Sequence, residues 1–246
     1  MPTASPVLEK TKLRRHSGIV RVTHWLTSVA FVALLVTGFE IVISHPRFYW
    51  GEVGNVNTKP LFVIPIPASR DTVPTGYNYV MPDQNGWSRY LHFEAAWVAV
   101  LTALVYGIYG VASGHFRKHL IPERRDLNWR AYRERIAKYL HRKPPDREED
   151  RSYNVLQRTA YVVVIFVLFP LIIWTGLAMS PTFTAAFPLT AALLGGRQSA
   201  RTIHFFVSWL LLFFLIVHVT MVAMSGFWRR VRSMFTGYAR SSEEAE

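Results

Sequence analysis

Cysteine is absent from the 246 residues. That excludes a disulfide framework, a thiolate-ligated iron–sulfur cluster and haem attached through a CxxCH motif. Acidic side chains are scarce, with 16 Asp and Glu against 28 Lys and Arg, for a formal charge of +12. Charge of either sign is missing from four windows, residues 22–39, 95–116, 159–196 and 202–228. Each window holds an apolar core near the ~20 residues that cross a bilayer as helix. Soluble domains show shorter amphipathic periods, so the surplus of basic residues does not mark a nucleic-acid binder. There is no phosphate-binding glycine loop and no nucleophile–base pair for bond-breaking chemistry. No internal repeat is evident, and the acidic tail Glu243–Glu246 is the one low-complexity tract. The composition is that of an integral membrane protein.

Expected spans run from about Val22 to Ile43, Tyr90 to Ala112, Thr159 to Ser180 and Ile203 to Met224. Backbone groups in hydrocarbon must be satisfied within their own segment, so each span is a helix. The expected fold is all-α, one integral membrane four-helix bundle covering residues 1–246. Pro170 predicts a kink in the third span. Pro181 and Pro188 end that helix and begin an apolar loop that closes at Gly195-Gly196. The first span has a long apolar stretch and no A-x-A site, unlike a cleaved signal peptide.

Basic residues set the expected orientation. Residues 1–21, 113–156 and 225–246 carry 21 of the Lys and Arg, and the 44–89 and 181–201 connections carry six. Such a bias puts both termini and the 113–156 loop in the cytoplasm. That loop, with the expected interfacial helix Trp129–His141, suits anionic lipid headgroups at the cytoplasmic face rather than nucleic acid. The proline-rich 44–89 connection then faces outward as an ordered cap, long enough to dock a partner.

Ionisable side chains inside a membrane are functional candidates by default. Here they are histidines: His24 on the first helix, His92 on the second, His204 and His218 on the fourth. Fourteen residues separate the last two, so their rings share one face and stand about 21 Å apart along the axis. With the helices alternating in direction, His24 falls at the depth of His218, and His92 at the depth of His204. Two facing imidazoles at one level suit the axial positions of a b-type haem, and two such levels suit two haems. Each level offers two histidines and no cysteine, short of a zinc set. Arg21 and Arg201 each precede a ligand candidate by three residues, where a guanidinium could pair with haem propionates. Gly38, Gly107, Gly110 and Gly176 leave room for a porphyrin plane or for tight helix packing.

Several stretches together carry a resemblance. They are Arg21-Val22-Thr23-His24-Trp25, Phe48-Tyr49-Trp50-Gly51-Glu52, Leu91-His92-Phe93, Tyr153-Asn154-x-x-Gln157-Arg158, Thr175 to Pro181, and Arg201-x-x-His204 with Val217-His218. In order and spacing the chain resembles the di-haem cytochrome b subunits of thiosulfate-reductase type. These are related to the membrane subunits of respiratory formate dehydrogenase and nickel–iron hydrogenase. The resemblance implies two haem b groups on His24, His92, His204 and His218, and a multi-pass subunit of a bacterial inner membrane. It also implies an extracytoplasmic oxidoreductase partner, often molybdenum-dependent, exchanging electrons with the quinone pool. Quinone would then meet Tyr153, Asn154, Gln157 and Arg158, which equally suit a helix-entry cap. The chain itself reads as a non-catalytic electron-transfer subunit. Two other readings are a self-contained quinol oxidase or ferric reductase, and a haem-free membrane anchor or assembly protein.

Overall fold

A computed structural model of the chain describes residues 16–55, 57–65, 84–122, 127–141 and 154–238. Tyr153, the prolines at 67, 74 and 82, and the acidic tail lie outside the described residues. Four helices are long and apolar enough to cross a membrane. They are α1 (Gly18–Ser44), α2 (Gln84–Ala112), α4 (Val155–Met179) and α7 (Arg197–Met224). Between and beyond them lie α3 (Trp129–Leu140), α5 (Pro181–Ala186), α6 (Leu189–Ala192) and α8 (Phe227–Thr236). A two-residue antiparallel pair, β1 (Arg47–Phe48) with β2 (Phe62–Val63), sits in the connection after α1. The all-α expectation holds.

Large apolar side chains face outward and small ones face inward, the reverse of a soluble core. Val29 is 71% exposed and Phe213 66%, whereas Thr37 and Thr175 are at 0%. The buried positions of α1 are Thr23, Ala30 and Thr37. Those of α2 include Ser88, Ala95 and Thr102. Both sets recur every seventh residue, which keeps a stripe of small side chains on one helix face and lets two backbones approach. Accordingly α1 packs along α2, and α4 along α7. Backbone approach between these two pairs is sparse. In the middle of the bundle Val164, Val207 and Leu211 are buried, with Phe31 of α1 against them.

Helix ends are set by polar chemistry. Ser17 accepts from the Val20 N–H to start α1. At α4 the Asn154 side chain accepts from the Gln157 N–H, and the Gln157 side chain accepts from the Asn154 N–H. This reciprocal capping box satisfies two otherwise orphaned donors. The helices therefore begin four to six residues before the expected spans, because their first turns carry polar side chains that the apolar windows leave out. Where a kink was expected, α4 widens into a π turn at Val164–Leu168, just before Pro170. The Phe169 N–H reaches back five residues to the Val164 carbonyl. Proline has no N–H to give, and the wider turn absorbs the break.

The two ends of the bundle differ. At the loop end, the stretch after α1 is clamped to the start of α7. Gly51 donates its N–H to Ser199 Oγ at 2.8 Å, and its carbonyl accepts from Gln198 and Ser199. Thr202 Oγ1 donates to the Tyr49 carbonyl at 2.7 Å, and Glu52 accepts from the Arg197 N–H at 2.9 Å. Gly196 makes this approach feasible: with φ +111, a Cβ there would lie 2.5 Å from the Gly51 carbonyl. At the termini end, α8 follows the left-handed Gly226 and folds back onto α1. Its Phe235 ring stacks on Trp25 at 4.4 Å, and its Phe235 carbonyl accepts from the Arg21 guanidinium. The apolar windows did not announce α8. The expected helix at 129–141 is present as α3, joined to α4 by Tyr132 and Thr159 hydroxyls 2.7 Å apart.

Candidate functional site

Two histidine pairs bridge the two helix hairpins. His92 of α2 meets His204 of α7 at the loop end, with ring centroids 6.4 Å apart and planes at 59°. His24 of α1 meets His218 of α7 at the termini end, again at 6.4 Å, with planes at 53°. The depth-matched residues of the sequence are therefore the ones brought together. Among the described residues no group of three or more His, Cys, Asp or Glu side chains converges. Each level, among the described residues, brings two imidazoles together.

The separation fits one metal between two rings. With metal–imidazole bonds of about 2 Å and ring nitrogens about 1.1 Å from their centroids, collinear ligands hold centroids about 6.3 Å apart. A bis-imidazole haem leaves the four equatorial positions to porphyrin nitrogens, so two protein ligands per level suffice. The donor set and spacing fit haem b at both levels.

The surroundings of the pairs differ. His92 Nδ1 lies 2.9 Å from Thr37 Oγ1 of α1, and His204 Nδ1 lies 2.9 Å from Thr175 Oγ1 of α4. The adjoining glycines make room for the same rings. A Cβ on Gly38 would meet His92 Cε1 at 3.7 Å, and one on Gly176 would meet His204 Cε1 at 3.6 Å. At the termini end three buried nitrogens, His24 Nδ1, Arg21 Nε and Trp25 Nε1, find no partner among the described residues. All three belong to one stretch of α1. His218 instead stacks on Phe214 at 5.7 Å, with Tyr161 edge-on at 6.4 Å.

The remaining sequence candidates are placed as follows. Arg201 donates to the His45 carbonyl and lies 4.9 Å from the centroid of the Phe48 ring. Burial, then the charges of Arg201 and Arg89, hold the His45 imidazole below its ordinary pKa. Asn154 and Gln157 are tied into the capping box, and Arg158 donates to the Ile121 carbonyl at 3.4 Å. Tyr153 lies outside the described residues. Gly110 is filled by the Phe116 ring, which a Cβ there would meet at 2.1 Å, whereas Gly107 faces open space. Thr37, Thr175 and Trp25 were not among the sequence candidates. The signal for the first two was a repeated dipeptide, Thr37-Gly38 and Thr175-Gly176, near matching ends of the first and third spans.

The family model for prokaryotic cytochrome b561 matches residues 15–237. The chain belongs to this family. It is a membrane b-type cytochrome of electron transport, a multi-pass protein of the bacterial inner membrane. Over 214 residues, 85% of this chain and 90% of the relative, it is 29% identical to an Azospira oryzae protein. That relative is named as subunit YedZ1 of a protein-methionine-sulfoxide reductase. It is 26% identical over 234 residues, 89% of this chain and 83% of the relative, to a protein of Cupriavidus necator. An Azotobacter chroococcum protein is 25% identical over 230 residues, covering 88% of this chain and 82% of its own. Both of these are named as B-type cytochrome subunits of Ni/Fe-hydrogenase. No solved structure matches the cytochrome.

Proposed function

We infer that this cytochrome holds two haem b groups and carries electrons across the bilayer between an extracytoplasmic oxidoreductase and quinone. One haem lies between His92 and His204, the other between His24 and His218. The observation that carries the reading is the equal 6.4 Å spacing of the two pairs, which suits one iron each. The haems supply one-electron redox chemistry. The chain supplies axial imidazoles, an apolar wall between the levels built from Val164, Val207, Leu211 and Phe31, and the spacing of about 21 Å along α7.

Arg21 and Arg201 serve the propionates of the termini-end and loop-end haems. Arg21 Nε and Trp25 Nε1, buried and without a partner among the described residues, support a bound acceptor at the termini end. The basic bias directs the termini end to the cytoplasm, where the arginines of α8 (Arg229, Arg230 and Arg232) and of α3 (Arg130, Arg133 and Arg135) meet anionic headgroups. Quinone exchanges electrons at that level. The capping box engages the amide oxygen of Gln157, and its N–H2, with Asn154, Arg158 and the adjoining Tyr153 of the sequence, would serve a quinone carbonyl. The partner at the loop end is an oxidoreductase subunit, in keeping with the reductase and hydrogenase subunits among the relatives; a molybdenum-dependent one is what the sequence resemblance implies.

The reading is tested by redox-titrated spectra of His92→Ala and His218→Ala variants of the purified cytochrome. The expected result is loss of the loop-end component alone in the first and the termini-end component alone in the second. Loss of both from either change, in a protein that remains folded, contradicts the assignment.

A further inference from the structure

We propose that Thr37-Gly38 and Thr175-Gly176 form a twin cradle that holds both loop-end imidazoles in one tautomer, with Nδ1 protonated and Nε2 bare for iron. The proposal rests on the two-haem reading and adds positioning residues to it.

The tautomer follows from counting hydrogens. A threonine hydroxyl has one O–H to donate. Thr37 Oγ1 lies 2.7 Å from the Ala33 carbonyl and 3.3 Å from that of Leu34. Thr175 Oγ1 lies 2.8 Å from the Leu171 carbonyl and 3.0 Å from that of Ile172. Carbonyls only accept, so each hydroxyl hydrogen is spent on its own helix, in the usual back-bonding of a mid-helix threonine. Toward the histidine 2.9 Å away each oxygen can then only accept. With the hydroxyl hydrogen back-bonded in this way Nδ1 carries the proton, and in a neutral ring Nε2 is left with its lone pair free. Both threonines are fully buried, so water does not compete for the bond.

The arrangement occurs twice with the same parts in the same order. In each hairpin the first helix supplies Thr-Gly and the second supplies the histidine: α1 to α2, and α4 to α7. The glycine brings the imidazole edge to within 4 Å of where its Cβ would stand, so the ring rests against backbone. A packing threonine would need neither the aim at Nδ1 nor the repeat. Among the described residues the termini end shows no analogous device. Thr23, next to His24, bonds the Ile19 and Val20 carbonyls, and His24 Nδ1 is buried with no partner.

An acceptor behind the distal N–H of a metal-bound imidazole fixes ring orientation and raises its basicity. A more basic ligand favours ferric iron, so the cradle lowers the potential of the loop-end haem and leaves the other alone.

The test uses Thr37→Val and Thr175→Val, which keep shape and remove the hydroxyl acceptor, with Thr37→Ser and Thr175→Ser as conservative partners. The Ile172 carbonyl remains beside His204, so the larger effect is expected at Thr37. The purified holoprotein is titrated potentiometrically and its ferric EPR spectrum recorded, and the loop-end component is identified as the one lost in His92→Ala. The expected result is an upward shift of that component's potential and a changed low-spin EPR signal in both valine variants. Serine restores both, and the termini-end component does not move. Selective loss of the loop-end haem in the valine variants, with full content in the serine ones, equally supports the cradle. Unshifted valine variants, equal shifts at both levels, or serine variants that behave like valine overturn it. Fewer than two b-type components in the unmodified protein overturns the two-haem reading instead, before any threonine is changed.

Discussion

The two ends of this bundle carry matched histidine pairs in unmatched surroundings. At the loop end threonine hydroxyls lie against both Nδ1 groups, and Arg201 is engaged with the His45 carbonyl. At the termini end His24 Nδ1, Arg21 Nε and Trp25 Nε1 are buried without partners among the described residues. A buried donor left unmatched costs about 1–3 kcal/mol. Among the described residues, both loop-end imidazoles have a hydroxyl partner on the chain, whereas His24 at the termini end has none at Nδ1. Equal spacing between rings therefore does not imply equal sites.

The comparison breaks most visibly at Gly196. Its positive φ and its 2.5 Å approach to the Gly51 carbonyl leave no space for a side chain. Gly196→Ala is expected to cost about 3 kcal/mol or more, with the strain confined to the loop end. Thermal unfolding in detergent, followed separately for the two spectral components, checks this. The loop-end component should be lost first, and a uniform loss of both would show that the ends are not independent.

A smaller effect sharpens the other side. Trp25→Phe keeps the ring that stacks on Phe235 and removes the unmatched N–H. If that N–H serves a haem carboxylate, its removal weakens retention of the termini-end haem about tenfold or more. Transfer of haem to an excess of apomyoglobin measures it, with loop-end retention as the internal control. An unchanged transfer rate would mean that the indole donor has no ligand to serve.

How much of this was legible in the sequence depends on which physics wrote it. Charge-free windows reported the hydrocarbon thickness, so the four spans were found at their centres. They missed the helix ends, because the first turn of α7 is Arg197-Gln198-Ser199, polar residues bonded to the Gly51–Glu52 loop. Helical phase and alternating direction sufficed to pair the histidines, since both are fixed by geometry. The threonines behind them were not found, because a hydroxyl on a helix back-bonds wherever it sits and its second partner depends on tertiary packing. α8 escaped for a related reason: ten residues with three arginines do not resemble a span, and what holds them is the contact of Phe235 with Trp25 and Arg21. The glycines divided by neighbour, with Gly38 and Gly176 making room for imidazole and Gly110 for Phe116.

The central claim is that each histidine pair brackets an iron porphyrin. Its most direct measurement is the ratio of haem to polypeptide in the purified, unmodified protein, from the pyridine haemochromogen spectrum and amino-acid analysis. The account predicts two haem b per chain. A ratio of one, or an absent b-type α-band, would contradict it.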